Sequence, residues 1–328
     1  MSEQPHGHIP VLCSEVVGAL APSPGDLVID CTAGRGGHAE LIARAMGSGT
    51  LVLSDLDPEN LAYAAERVAK AAPGVRSIAL QGDFRHLALR MRTMSLPPAH
   101  AVLADLGVSS LHLDDPARGF SFSSEAPLDM RLDPAGPRTA ADLVATLSED
   151  ELATVIGHLG EEPLARRIAR KVAESRDVAP IKTTAQLALL VREAYGPRAR
   201  TSRLHPATRT FMALRIAVND ELGALEGLLL AVATAAREAE QGKPGWLAPD
   251  ARVAVISFHS LEDRLVKRSF AALESSGLAS RLERKPLVAS DAEVDANPRA
   301  RSAKLRIIRL GSAQSAQARS KDAAPHDP

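Results

Sequence analysis

The chain has 328 residues, 45% of them hydrophobic and 24% charged, a balance that excludes a disordered or fibrous chain and fits a protein that buries a core. Thirty-nine Lys and Arg stand against 40 Asp and Glu, so no global positive field holds nucleic acid, and any RNA or DNA contact must come from local patches. The only cysteines, Cys13 and Cys31, exclude a disulfide framework and a four-cysteine zinc site; no metal is expected. With no signal-peptide pattern and no apolar run near ~18 residues, the expectation is a cytoplasmic protein without membrane contact.

In chain order, "DLVIDC" (26–31) reads as a buried strand and "GGHAELIARAM" as the helix after it. "GTLVLSDLD" (49–57) is a second strand, followed by a helix with Asp57 at its N-cap and Pro58 at the first helical position. "VRSIALQGD" (75–83) and "HAVLADLG" (100–107) complete four strands separated by helices, the pattern of an α/β, doubly wound parallel sheet. The alternation stops at residues 108–137, rich in Ser, Asp, Pro and Gly, which read as a long ordered loop of the kind that carries function.

From 138 to 205 the signals are helical, with capping boxes at Ser148/Glu151 and Thr183/Gln186, and a small all-helical insert is predicted there. One long helix is expected from Pro206 to Ala239, with Phe211, Leu214, Val218, Leu222, Leu225 and Leu229 on one stripe. Strands resume at 251–260 and 303–310, and 313–328 reads as a disordered tail. The predicted divisions are therefore 1–137, the insert 138–205, 206–312, and the tail.

The stretch "DCTAGRGGHAEL" (30–41) puts Gly34, Gly36 and Gly37 between a strand ending in Asp30 and a helix. Glycines there let backbone N–H groups and a helix N-terminus approach a ligand. Asp55, 21 residues after Gly34, stands where an acid accepts hydrogen bonds from ribose hydroxyls. A nicotinamide dinucleotide and S-adenosylmethionine both carry such a ribose. Asp30, Asp55, Asp83 and Asp105 all fall at predicted strand ends, where open α/β sheets bind ligands, so a binding crevice is expected.

Longer blocks are more specific: "HIPVL" (8–12), "GRGGH" (34–38), "DLDP" (55–58), "DLGVSS" (105–110), "RGFSF" (118–122), "PLDMRLDP" (127–134), "HPATRTFMALRIAVNDEL" (205–222), "SFHSLEDRLVK" (257–267) and "NPRARSAKLR" (297–306). Through them the chain resembles the bacterial small-subunit ribosomal RNA cytosine-N4 methyltransferases, over nearly all its length except the tail. The resemblance implies S-adenosylmethionine as cofactor, a Rossmann-like methyltransferase sheet with a helical insert, and the small ribosomal subunit or its RNA, not DNA, as partner. It places cofactor contacts on Gly36, Gly37, His38, Asp55, Phe84 and Asp105, and on His112 where the family usually has Gln.

Transfer to N4 is an in-line displacement at a sulfonium methyl, so the protein supplies positioning and electrostatics. Asp105 is the candidate acceptor for the amino hydrogens, although "DLGV" lacks the two prolines and the aromatic that many amino-methyltransferases place after this strand. A base to be methylated must be splayed out and stacked. Phe120 and Phe122 are candidates for that stacking, with stapling of the loop as the other reading. Thr208, Met212, Arg215 and Asn219 share a face of the expected long helix beside the buried stripe, and Arg209, Arg215 and Asn219 are candidates to point polar groups into the crevice; His259 and Arg264, after the fifth strand, are further RNA candidates. Arg198 and Arg200 read as a solvated face. Methylation at carbon 5 would need a cysteine nucleophile, and neither Cys31 nor Cys13 is well placed. The rival readings are an NAD-dependent oxidoreductase and a non-catalytic ribosome-assembly factor. Near-neutral charge favours an assembled particle over naked RNA as substrate.

Overall fold

The computed structural model describes residues 10–108, 115–201 and 204–311; the expected disordered tail and His112 lie outside them. These residues fall into two compact units, those within 1–107 together with 223–328, and those within 108–222.

The first unit begins with α1 (Cys13–Leu20), β1 (Leu27–Asp30), α2 (Gly37–Met46), β2 (Gly49–Asp55), α3 (Pro58–Ala71), β3 (Val75–Gln81), α4 (Leu87–Thr93) and β4 (Ala99–Asp105). Strand β1 is buried along its whole length, as a parallel strand covered on both faces must be. Its side chains alternate between two cores. Leu27 and Ile29 pack with Val52, Val102 and Leu229 on one face; Val28 packs with Leu51, Leu103, Ile42 and Val68 on the other. Asp57 caps α3 as expected, accepting from the amides of Glu59 at 2.9 Å and Asn60 at 3.4 Å, with Pro58 behind it.

The sheet runs β3-β2-β1-β4-β5-β8-β6, with β7 paired to β8, where β5 is Leu247–Ser257, β6 Ala279–Arg281, β7 Leu287–Val288 and β8 Lys304–Leu310. Neighbours from β3 to β5 are parallel, and β8 is antiparallel to β5. The chain leaves β1 on one side to build β2 and β3, then returns to lay β4 on the other. The carboxyl ends of β1 and β4 therefore flank the point where strand order reverses, which is where open α/β sheets form ligand crevices. The doubly wound α/β class is thus as expected, while the short strands β6 and β7 were not anticipated.

The helical unit is wider than the expected 138–205, spanning 108–222. It contains α5 (Ala140–Thr146), α6 (Glu149–Gly160), α7 (Ala165–Arg176), α8 (Thr184–Tyr195) and α9 (Ala207–Asn219). The irregular stretch before it belongs to the same body because Phe120, Leu128 and Met130 pack in one core with Leu143, Ile156, Ile168, Val191, Phe211 and Leu214. Both predicted capping boxes form, at Ser148/Glu151 and Thr183/Gln186.

The single long helix expected from 206 to 239 is two helices. Asp220 takes φ +48° and ends α9; α10 (Glu221–Glu240) starts afresh. The apolar stripe is accordingly divided between two cores, Phe211 and Leu214 in the helical unit and Leu225 and Leu229 against the sheet. With neither Gly nor Pro at the break, the spacing alone did not mark it. No helix among the described residues is long and apolar enough to cross a membrane.

Candidate active site

Three strands end in acids: Asp30 on β1, Asp55 on β2 and Asp105 on β4. Asp83 lies two residues beyond β3 and serves its own turn, where its carboxylate accepts from the amide of Arg85 at 2.8 Å and pairs with the Arg85 guanidinium at 2.6 Å.

Asp55 accepts the Gly34 amide at 2.7 Å and the Asp57 amide at 2.8 Å, one on each oxygen. Burial raises its pKa to about 6 despite those two amides. Each carboxylate oxygen keeps a second lone-pair site, so the ribose role remains open to it while it pins the glycine loop to the end of β2. The glycines have packing duties of their own. Gly36 has φ +73°, and a Cβ there would stand 2.9 Å from the Ala64 Cα on α3; a Cβ on Gly37 would meet Pro10 at 3.0 Å. Their smallness lets the loop lie flat on its neighbours.

His38, in the first turn of α2, is 5% exposed. Its Nε2 sits 2.8 Å from the Val11 carbonyl, and its Nδ1 lies 3.4 Å from Asp105 Oδ2. A carbonyl can only accept, so Nε2 carries a proton; the second acceptor at Nδ1 favours the doubly protonated imidazolium. Burial opposes the cation, yet the hydrogen bond and charge of Asp105, the charge of Asp30 and the Val11 carbonyl hold the His38 pKa above its usual value. Asp30 is 1% exposed. Burial pushes its carboxyl up to about 7 against the pull of His38 and of the Thr32 amide, with Asp105 and Asp55 adding repulsion. Two carboxyl groups and one imidazole thus share a desolvated corner at the strand-order reversal. Asp105 Oδ1 is buried there without a hydrogen-bond partner. A buried acceptor left open in a cluster of acids at strand ends is a candidate to take a donor from a ligand. The first-turn amides of α2, which have no intrahelical acceptor, border the same corner.

Among the expected cofactor residues, Gly36, Gly37, His38, Asp55 and Asp105 stand together on adjacent strand ends and the loop between them. Phe84 opens a 3-10 turn after β3 and packs half-buried against the core on the α4 side. Asp30 is visible in the sequence as a strand-end acid but without a role of its own; its neighbour relation to His38 and Asp105 needs the parallel pairing of β1 with β4. Cys31 is 1% exposed, and burial followed by the Asp30 charge raises its thiol pKa well above the ordinary value. A thiol so held is no nucleophile, in line with its expected bystander status.

The RNA candidates of the helical unit are placed otherwise. Phe120 is 7% exposed and part of the core. Phe122 stacks on His205 at 4.4 Å and meets Phe211 edge-on at 5.1 Å; both rings take the stapling role. Arg215 makes a bidentate pair with Glu221, each contact 2.8 Å. Asn219 donates to the Met130 and Arg215 carbonyls at 2.8 and 2.9 Å and accepts the Leu132 amide at 2.7 Å. The expected presentation of Arg215 and Asn219 to a crevice gives way to an internal role: Arg215 is held by Glu221, and Asn219 ties down the 130–132 backbone, where Met130 is held at φ +65°. Arg118 helps, donating to the Arg131 and Leu132 carbonyls at 3.0 and 2.9 Å. Arg209 is half-buried and its charge is felt by the Tyr195 hydroxyl.

In the sheet unit, His259 is the N-cap of α11 (Ser260–Ser275), and Glu262 accepts the amides of Phe258 and His259 at 2.9 and 3.3 Å. His259 Nε2 lies 3.1 Å from Glu262 Oε1 without hydrogen-bonding geometry, and both ring nitrogens are buried without a hydrogen-bond partner. Arg264 is on the exposed side of α11.

A family model described as the MraW methylase family matches residues 5–310. Two relatives, from Deinococcus radiodurans and Acidothermus cellulolyticus, each bear the name ribosomal RNA small subunit methyltransferase H. They are 47% identical to this chain over 302 and 319 residues, covering 92% and 91% of it and 88% and 92% of their own lengths. A solved rRNA methylase from Streptococcus thermophilus aligns with 10% identity and a TM-score of 0.38, over 91% of this chain and 95% of that one.

Proposed function

The chain belongs to the MraW methylase family, and from that premise we propose that it transfers the methyl group of S-adenosylmethionine to the exocyclic N4 of one cytidine in small-subunit ribosomal RNA, in the decoding region of an assembled particle. The near full-length likeness to relatives named for small-subunit rRNA methylation carries this reading. The competing carbon-5 chemistry requires a cysteine thiolate, and Cys31 is buried and protonated.

The residues at the strand ends fit the donor. When bound, S-adenosylmethionine supplies an electrophilic methyl on a sulfonium. The first-turn amides of α2 suit its amino-acid carboxylate. Asp55 stands where a ribose hydroxyl is taken. His38 neutralises part of the acid cluster and holds Asp105 by one oxygen, leaving Oδ1 as the free acceptor. We assign that oxygen to the amino hydrogens of the target base: accepting one of them localises the nitrogen lone pair and directs it at the methyl carbon. Preorganisation of this acceptor by the buried His38 ring avoids solvent reorganisation during transfer.

Mass spectrometry of ribosomal RNA from cells lacking the gene tests the reading. Loss of a single N4-methylcytidine from the small-subunit RNA is expected. An unchanged modification map overturns it and leaves the assembly-factor reading.

A further inference from the structure

The proposed substrate needs a surface that meets the RNA backbone, and Arg215 and Asn219 are already engaged by Glu221 and by the 130–132 backbone. Charge is unevenly distributed. Residues 163–215 hold twelve Lys and Arg against three Asp and Glu, in a chain of formal net charge −1.

The structure brings part of this excess together. Helix α7 buries Ala165, Ile168, Ala169 and Val172 and leaves Arg166, Arg167 and Arg170 exposed. Lys171 on α7 pairs with Glu193 near the end of α8 at 3.0 Å. One turn earlier, Arg167 reaches Gly196, its Nη2 lying 3.8 Å from where a Gly196 Cβ would stand. Gly196 opens the 3-10 segment Gly196–Arg200, on which Arg198 and Arg200 are exposed. Two acids near this face are already matched, Glu149 with Arg170 at 3.5 Å and Glu193 with Lys171, and Glu174 stands beyond Lys171, toward the end of α7. Arg166, Arg167, Arg198 and Arg200 have no acid partner among the described residues. Elsewhere the chain pairs its arginines readily, as at Arg67–Glu40, Arg92–Glu238, Arg131–Asp129 and Arg306–Asp263.

Like charges left unmatched on adjoining elements repel one another, and a polyanion relieves that repulsion while releasing its own counterions. Guanidinium groups also match phosphate oxygens in a two-pronged geometry that a lysine cannot supply. We propose that the surface formed by α7 and the Gly196–Arg200 segment docks the phosphate backbone of the substrate RNA, through Arg166, Arg167, Arg198 and Arg200. Arg198 and Arg200, expected from sequence to be a solvated face, become part of this surface because α7 brings Arg167 against Gly196, where their segment begins. Such contacts fix position and orientation and carry no base specificity.

The proposal rests on the rRNA substrate reading but is tested apart from it, by binding. The full-length chain and an R166Q/R167Q/R198Q/R200Q variant are titrated with purified small ribosomal subunits over a range of salt. The variant is expected to bind at least tenfold more weakly near 0.1 M salt, and the slope of log affinity against log salt becomes shallower by about 3, for four contacts at about 0.7 each. Its affinity for S-adenosylmethionine and its unfolding midpoint stay those of the parent, and an all-lysine variant at the four positions recovers the slope. Equal affinity and slope overturn the proposal. So does weaker binding with an unchanged slope, and so does parental binding to phosphatidylserine vesicles as tight as to subunits. If the parent binds subunits in the expected way but transfers no methyl group, the function reading fails while this surface stands.

Discussion

The strand ends of the sheet unit and the polar face of α9 in the helical unit carry similar polar chemistry, yet the protein treats them in opposite ways. At the strand ends, polar capacity is left open in a desolvated setting: Asp105 Oδ1 lacks a partner, and Asp30 carries a carboxyl pushed up to about 7. On α9, Asn219 uses both its oxygen and its nitrogen on backbone groups, and Arg215 places two nitrogens on one carboxylate. Open, buried, electrostatically coupled groups cost stability and are kept where a ligand meets them. Satisfied groups hold a loop in shape. Residue type and helical face nominate a site, and the hydrogen-bond balance decides between ligand and architecture.

The largest effect should come from the glycine loop. Gly36→Ala places a Cβ against the α3 backbone at a positive φ, so S-adenosylmethionine affinity is expected to fall by about 100-fold or more in calorimetry, given the close approach such loops require. Retained affinity would show that the loop is mere packing and erase the contrast between the two regions.

Asp105→Asn comes next. A loss of about 10²–10⁴-fold in turnover is expected, with donor affinity within about threefold of the parent. A collapse of donor affinity instead would move Asp105 from acceptor to donor contact, and wild-type turnover would remove it from the reaction.

The pH dependence of stability probes the strand ends through Asp30. Its folded pKa of about 7 lies above the ordinary value near 4, so between these limits the folded chain holds a proton that the unfolded chain has released. The stability this group contributes is full below about pH 4 and is lost as pH rises through about 7. Urea unfolding should therefore show Asp30→Asn gaining on the wild type between about pH 4.5 and 8, by an amount on the order of 3 kcal/mol. Parallel profiles would mean that the carboxyl is not desolvated as described.

The smallest of these effects belongs to the satisfied region. Asn219→Ala removes three hydrogen bonds from a partly buried side chain, at an expected cost of about 2 kcal/mol in urea unfolding, with donor affinity unchanged. A stable variant with impaired RNA binding would return Asn219 to an RNA-contacting role.

Much of the sheet unit was legible in the sequence because its signals are local. Buried runs end in acids, glycines follow, Asp57 and Pro58 start a helix, and these fix strands, turns and caps without knowledge of the tertiary structure. The coupling of Asp30 to His38 and Asp105 was not legible, since it depends on β4 lying beside β1. The helical unit was harder to bound. Phe120, Leu128 and Met130 sit in a stretch without periodicity, and only their burial in a shared core assigns that stretch to the helices. The break at Asp220 was hidden for a related reason: Asp220 adopts φ +48°, a conformation open to Asp, while the apolar spacing runs on across it. The arginines of α7 and of Gly196–Arg200 are about thirty positions apart in "RRIAR" and "GPRAR", and their proximity comes from the packing of α7 on α8.

The most direct measurement combines the purified chain with labelled S-adenosylmethionine and small ribosomal subunits that lack the modification, then digests the RNA to nucleosides. One labelled product, N4-methylcytidine, is the expected result, and a Cys31→Ala variant should give the same product at the parental rate. Label in 5-methylcytidine, or none in the RNA while the donor binds tightly, would contradict it.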